Sequence, residues 1–433
     1  MVSEVPAPPP TGSARRLAVV NALRSGTVTV ALGLGFFGLS TYVFTAIVLR
    51  ALGPERFADF NLFWGLAYGI GLGAMLPFEQ EVSRRTATAV HTDGRVGRIL
   101  TAGATVAMAF SAVLGVLVLP FVIHASGGAT GVLWLVTTCS FVALGIAYVS
   151  RGALSGQSAF GRYSAQLVAE GAVRLLLVGL CVAIGLVNPW GYAAVVPVAL
   201  TVAVAVTWRR DERLVRTSRS LVRDVALSMA PLVVASLISL TLVNLGPVAI
   251  RYVQEVPDPT HDGSYLAAAF IARLPIFAFA AVQAVLMPRL ARAVVRNDPA
   301  DFRATVLRVL APTVGLGLLG VIAVAVAGPW LLGLLAGPQY DLPRVDMVLL
   351  TAAYACYLLT LVLQPSAVAL GEHRASAVVW VVGALTFSIA WVLPTQASTA
   401  VSIAIATVSV TVSAGLAWVV GRGLSSRFAQ RTS

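Results

Sequence analysis

Residues Arg209–Asp224 read RRDERLVRTSRSLVRD, a hydrophilic segment in which six of sixteen residues are arginine. Six long apolar stretches lie before it: Thr27–Leu49, Phe60–Leu76, Ile99–Ile123, Val132–Val149, Ala165–Val187 and Tyr192–Trp208. Six follow: Val225–Ile250, Tyr265–Met287, Thr305–Ala327, Val348–Leu370, Ala377–Leu393 and Thr399–Val420. Crossing ~30 Å of hydrocarbon at ~1.5 Å per residue takes about 20 residues, which each stretch supplies within a few. With 58% apolar and only 11% charged residues, the composition is far from that of a soluble domain. The chain is predicted to be an all-α polytopic membrane protein. It has about 12 transmembrane helices and divides into an N-terminal tail (1–26), a first bundle (27–208), a basic linker (209–224), a second bundle (225–420) and a C-terminal tail (421–433). Leu214, Val215, Leu221 and Val222 allow the linker to be an amphipathic helix on the membrane surface; a plain solvated linker is the alternative.

Every one of the 30 basic residues is arginine. Twenty-four fall on the tails and the even-numbered loops, among them Arg84, Arg85, Arg151, Arg162, Arg289 and Arg292. Short arginine-rich loops are retained in the cytoplasm, so both tails are expected there. The net charge of +12 then sits at the membrane face, where it orients helices and meets anionic lipid. It is not read as a nucleic-acid site. Six arginines remain: Arg50, Arg56, Arg251 and Arg344 on the opposite side, and Arg174 and Arg273 inside apolar stretches. Met1–Gly12 lacks the basic region and cleavage site of a signal peptide, so Thr27–Leu49 is expected to stay in the mature protein.

The halves resemble one another. Arg50 and Arg251 end helices 1 and 7, Leu76-Pro77 and Met287-Pro288 end helices 2 and 8, and LSGQSAFGRYSA from Leu154 parallels ALGEHRASA from Ala369. Matching Gly156 with Gly371 gives an offset of 215, close to the 201 of the arginines and the 211 of the prolines. Two pseudo-repeated six-helix bundles of equal orientation, around a central cleft, form a parallel repeat. In such folds, substrate sites lie near midplane between the repeats.

Several kinds of chemistry are excluded or weak. Gly33–Gly38 fits G-x-G-x-x-G but lies inside a membrane helix with no preceding strand, and no Walker A sequence occurs. The histidines lack metal-ligand spacing, Asp258 and Asp262 fit ordinary loop chemistry beside prolines, and Cys139, Cys181 and Cys356 are expected to be buried small hydrophobes. No cofactor or metal is implied, and no enzyme activity. Glycines in helix 1 (Gly33, Gly35, Gly38) and helix 2 (Gly65, Gly69, Gly71, Gly73), with Pro247 in helix 7 and Pro275 in helix 8, suit either close helix packing or bends for a gate. Ionisable groups in the bilayer are functional suspects. Arg273, about eight residues into helix 8, is a candidate ligand for an anionic headgroup, or else half of an ion pair. Glu170 and Arg174, four apart on helix 5, can meet on one face, to neutralise each other or to bind substrate. Arg50 is a further candidate unless it snorkels. Glu79 is a gating or proton-coupling candidate unless Arg84 and Arg85 pair with it and Glu81.

From Arg50 the chain runs RALGPERFADFNLFW, and then LPFEQEVSRR from Leu76. This hairpin resembles that of bacterial polysaccharide flippases of the multidrug/oligosaccharidyl-lipid/polysaccharide (MOP) flippase superfamily. Leu52, Gly53, Pro54, Glu55 and Phe57 match, and Ala58 replaces the usual glycine. The resemblance implies a flippase in the bacterial plasma membrane that moves a polyprenyl-pyrophosphate-linked oligosaccharide to the outer leaflet for cell-surface polysaccharide biosynthesis. It implies a cationic cleft, with Arg273 placed by position where relatives use a basic headgroup contact and Arg50 and Arg174 as weaker transfers. Glycosyltransferases and a polysaccharide polymerase are the partners it suggests. A cation-coupled drug exporter, a lipid II flippase and a non-transporting scaffold for glycan polymerases are the competing readings.

Overall fold

The computed structural model describes residues 26–89, 95–125, 130–208, 215–229, 258–276, 289–290, 292–294, 296–393 and 395–429, with isolated positions at 233, 250, 253, 279 and 286. Most of helix 7, with Pro247 and Arg251, and the Met287-Pro288 end of helix 8 lie outside these residues. So does Arg209–Leu214 of the linker. Residues 215–218 are irregular and 219–229 are helical, leading into the seventh apolar stretch.

The first two predicted spans come from one helical run. Helix α1, Gly26–Trp64, is broken only at Gly53, whose φ of 71° and ψ of 172° leave the helical region. Glycine adopts a positive φ without a Cβ clash. Pro54 then restarts the helix, where its missing N–H has no partner to lose. The Leu-Gly-Pro-Glu hairpin is therefore a one-residue corner rather than a loop. Gly65–Gly71 is π-helical and leads into α2, Leu72–Ala89. The glycines of helix 2 thus mark a change of helical pitch. In helix 1 they differ: a Cβ on Gly33 would strike Ser164 of the fifth span, whereas Gly35 and Gly38 face open space.

The remaining helices of the first bundle are α3 (Arg95–Ala125), α4 (Thr130–Gly156), α5 (Phe160–Ala183) and α6 (Pro189–Thr207). The second bundle contributes α7 (Pro259–Ala272), α8 (Pro299–Leu335), α9 (Arg344–Ala369), α10 (His373–Thr386) and α11 (Ala397–Ala429). No strand occurs among the described residues. Eight helices there are long and apolar enough to cross a membrane, the first run containing two predicted spans. Large apolar side chains such as Leu176 (72% exposed) and Val326 (73%) point outward, as a lipid solvent permits. For the same reason Cys139 is exposed, with Cys181 and Cys356 half-buried; the expectation of buried cysteines presumed a core that lipid makes unnecessary.

The repeat is visible in packing. Helix α3 packs on α4, α4 on α6 and α5 on α6; likewise α8 packs on α9, α9 on α11 and α10 on α11. The turns after α4 and α9 share one hydrogen-bond pattern. Ala159 N donates to Leu154 O across Ser158 (φ 56°), as Glu372 N donates to Ala367 O across Gly371 (φ 85°). Gly371 therefore matches Ser158, not Gly156: the sequence alignment followed residue type, while the turn is defined by the left-handed position. Two predicted spans are also interrupted. The eighth breaks at Arg273, immediately after α7. The eleventh tightens from α10 into a 3₁₀ segment, Phe387–Trp391.

The halves meet at the Gly53 corner. A Cβ on Gly263 of α7 would collide with the Pro54 carbonyl, so backbone lies against backbone. Tyr340 donates to Leu49 O (2.6 Å), and its ring meets Phe57 edge-on at 6.4 Å. Burial pushes the Tyr340 phenol up from its ordinary value, which keeps it a donor. Gly263→Ala should cost about 1–3 kcal/mol through overpacking. Thermal unfolding of the purified protein should register that loss, whereas Gly35→Ala, facing open space, should leave the midpoint unchanged or raise it.

Candidate functional site

Two groups of intramembrane charges stand apart. The first lies inside the first bundle. Arg174 of α5, fully buried, donates to Thr41 Oγ1 (2.8 Å), to the Tyr68 hydroxyl (2.7 Å) and to Glu170. Tyr68 stands in the π-helical segment and stacks on Trp64 at 4.2 Å. The altered pitch thus helps present its hydroxyl to the guanidinium. The second oxygen of Glu170 accepts from Arg151 of α4, which is 3% exposed. Phe37 lies between the cations, 5.7 Å from one guanidinium carbon and 5.2 Å from the other. One carboxylate thus bridges two arginines.

The expected Glu170–Arg174 pair is present, but Arg151 is a correction. Its place near a loop assigned it to topology, yet α4 runs on through Ser150–Gly156 and buries it. Sequence spacing gives no sign of an Arg151–Glu170 contact, because the two residues sit on different helices. The local sequence signal points the other way, since Gly152 stands where the helix could have ended.

Glu79 and Glu81 part company. Arg84 and Arg85 both bind Glu81 (2.7 and 2.6 Å). Ser228, at the start of the second half, donates to the same carboxylate (2.8 Å), and Arg85 reaches Asp224 O at 3.1 Å. This forms an inter-half contact at the Pro77 end. Glu79 instead accepts from Tyr163 of α5 at 2.8 Å. Gly152, next to Arg151, makes this geometry possible: a Cβ there would meet the Glu79 carbonyl at 2.7 Å.

Arg273 occupies the break after α7, with Ala272 the last helical residue before it and Pro275 just beyond. It is half-buried. Its guanidinium lies 4.8 Å from the ring centre of Tyr354 on α9, a cation–π distance. Three residues earlier, Phe270 packs against Tyr42 of α1 at 4.7 Å, so the break faces the other half. Arg50 is exposed and donates to the carbonyls of Leu334 and Leu335, at 3.2 Å for Leu335, capping the end of α8 from across the cleft. Asp258 caps α7 through the N–H groups of Thr260 and His261, and Asp262 is buried in its first turn.

Loss of the bridging carboxylate should be costlier than loss of one arginine. Glu170→Gln leaves two buried cations and should cost about 3–5 kcal/mol. Arg151→Met leaves the Glu170–Arg174 pair neutral and should cost less. Folded yield and melting temperature of the two variants check that order.

No protein-family profile matches the chain. It is 26% identical over 398 residues, 84% of each chain, to an uncharacterized protein of Mycobacterium tuberculosis. It is 25% identical over 418 residues, 89% of each, to an uncharacterized protein of Mycobacterium bovis. Among solved structures, an inward-facing multidrug resistance MATE family transporter of the MOP superfamily superposes with a TM-score of 0.67 at 16% identity, covering 90% of this chain and 95% of that one. An outward-facing form gives 0.63 at 16%, covering 94% and 97%. A MOP superfamily transporter from Pyrococcus furiosus, whose binding pocket is of reverse polarity, gives 0.61 at 15%, covering 92% and 96%. The chain is thus a multi-pass helical membrane protein with the two-bundle fold of MOP superfamily transporters.

Proposed function

We propose that the protein is a flippase that moves a polyprenyl-pyrophosphate-linked oligosaccharide from the inner to the outer leaflet by alternating access, for cell-surface polysaccharide biosynthesis. The observation that carries this reading is the half-buried Arg273, set at a helix break between the bundles and facing α1 and α9. Guanidinium groups keep their charge when partly desolvated and bind phosphate oxygens in pairs. The buried carboxylates described here already have partners: Glu170 and Glu81 bind arginines, Asp346 accepts from Ser398 and Thr399, and Asp262 is engaged. A cationic cleft suits an anionic headgroup and suits an organic cation poorly.

The arginine pattern supports a reading in which the Gly53 corner lies outside and the tails lie in the cytoplasm, with a bacterial plasma membrane as the proposed location. Contacts at the corner then form the outer gate, with Arg50 as a latch. Pro275 and Pro247 serve as bends. Glu79, held by Tyr163 beside the Arg151–Glu170–Arg174 network, is the coupling carboxylate, and Arg174 and Glu170 set the charge around it. Membrane lipids, glycosyltransferases and a polysaccharide polymerase are the expected partners. A cation-coupled multidrug exporter is the second reading, favoured by the MATE fold neighbours. Lipid II transport and a scaffold role are further alternatives.

Vesicles reconstituted with the protein should move a fluorescent polyprenyl-pyrophosphate-linked oligosaccharide between leaflets. Arg273→Ala should slow that movement at least tenfold, a loss of about 1.4 kcal/mol or more, while still reaching the membrane. Undiminished movement by the variant would remove Arg273 from the mechanism. Failure of folded wild type to move the substrate would leave the exporter and the scaffold.

A further inference from the structure

Behind Arg273, inside the second bundle, lies a crevice walled by Tyr354 and Tyr357 of α9, Trp380 of α10, Phe387 of the 3₁₀ segment and Ser409 of α11. Tyr354, Trp380, Phe387 and Ser409 are each at most 7% exposed. The space is about 20 Å³, room for a water or so. Tyr354 belongs to both places: its ring carries the Arg273 guanidinium, and it lines the crevice. Its hydroxyl, on a side chain 2% exposed, has no hydrogen-bond partner among the described residues. A buried hydroxyl left without a partner is destabilising. The indole of Trp380 is fixed by donation to Gln364 Oε1 at 3.1 Å. Phe387 opens the 3₁₀ segment, a tighter winding that often marks a hinge.

Three kinds of occupant can be weighed by these facts. A hydrocarbon tail fits aromatic walls but leaves the Tyr354 hydroxyl unpaired. An organic cation fits an aromatic cage but meets the repulsion of Arg273 beside it. A sugar ring attached to a phosphate satisfies both features: its apolar face lies on the aromatic rings, a hydroxyl pairs with Tyr354 Oη, and the phosphate reaches Arg273. We infer that this crevice is a subsite for the sugar residue next to the phosphate of a glycosyl phosphate, opened by displacement of the Phe387 wall. The inference rests on the transport reading above and deepens it: the second bundle selects for the glycan and not only for its charge.

The test uses the full-length protein in lipid nanodiscs and follows quenching of its tryptophan fluorescence, with Trp380→Phe as the blank. The probes are geranylgeranyl pyrophosphate and the same molecule carrying one glucose, with tetraphenylphosphonium as the cation control. The glucose-bearing probe is expected to bind about tenfold more tightly than the bare pyrophosphate, the worth of one good buried hydrogen bond. Tyr354→Phe, which keeps the ring under Arg273 and removes only an unpaired hydroxyl, so should fold at least as well, is expected to abolish that advantage, the ratio of the two affinities falling to about one. Equal binding of the two pyrophosphates by wild type would overturn the subsite while leaving the transport reading intact. An undiminished glucose advantage in Tyr354→Phe would do the same. Quenching of Trp380 by tetraphenylphosphonium would assign the crevice to cations. Failure of both pyrophosphates to bind would sink the transport reading along with the subsite.

Discussion

The first bundle is organised around one carboxylate. Glu170 holds two guanidinium groups from different helices in a place with little water. An isolated arginine there would face a desolvation cost of several kcal/mol, so α4 and α5 must keep the register that brings Arg151 and Arg174 to it. The constraint then spreads outward. Arg174 reaches Thr41 on α1 and Tyr68 on the π-helical segment, and Arg151 sits beside Gly152, against which α2 packs closely enough to bring Glu79 to Tyr163. Four helical elements of one half are pinned to a single charge. The second bundle has no matching network among its described residues. Its corresponding region is aromatic, with one arginine at a broken helix.

That asymmetry within a duplicated fold suggests a division of labour. The first half carries a network in which one carboxylate serves two arginines, and it is closed to solvent in this conformation. The second half presents an arginine at a helix break, with buried aromatic rings behind it. In the transport reading proposed above, a buried charge network in one half and an arginine beside aromatic rings in the other put coupling and the recognition of cargo on opposite sides of the interface.

Much of this was legible in the sequence, and the failures have physical causes. Span number, the two halves and the Glu170–Arg174 pair follow from hydropathy and from the i, i+4 geometry of a helix. Loop charge predicts orientation but says nothing about which loop-edge arginines turn inward; that is why Arg151 was misplaced. The corner at Gly53 is written in Gly-Pro, whereas the breaks at Arg273 and Phe387 have only Pro275 as a nearby signal. The choice of Glu81 over Glu79 as the partner of Arg84 and Arg85 depends on helical phase, since residues three and four apart share a face and those five or six apart do not. Long-range contacts, such as Tyr354 with Arg273 inside the second half or Arg50 with α8 across the halves, join residues far apart in the chain and leave no periodic trace.

Arg50 binds carbonyl oxygens and not a carboxylate, and in the transport reading proposed above this sets the character of the closure at the Gly53 corner. An ion pair between the halves would leave two opposite charges behind when they separated. Here separation exposes a cation at the membrane surface and the carbonyl end of a helix, and water can serve both at once. The contact orients the halves while they are together and leaves little electrostatic debt when they part. Such a latch favours repeated cycling over permanence, and its hold should depend only weakly on salt, since one of its partners carries a partial rather than a full charge.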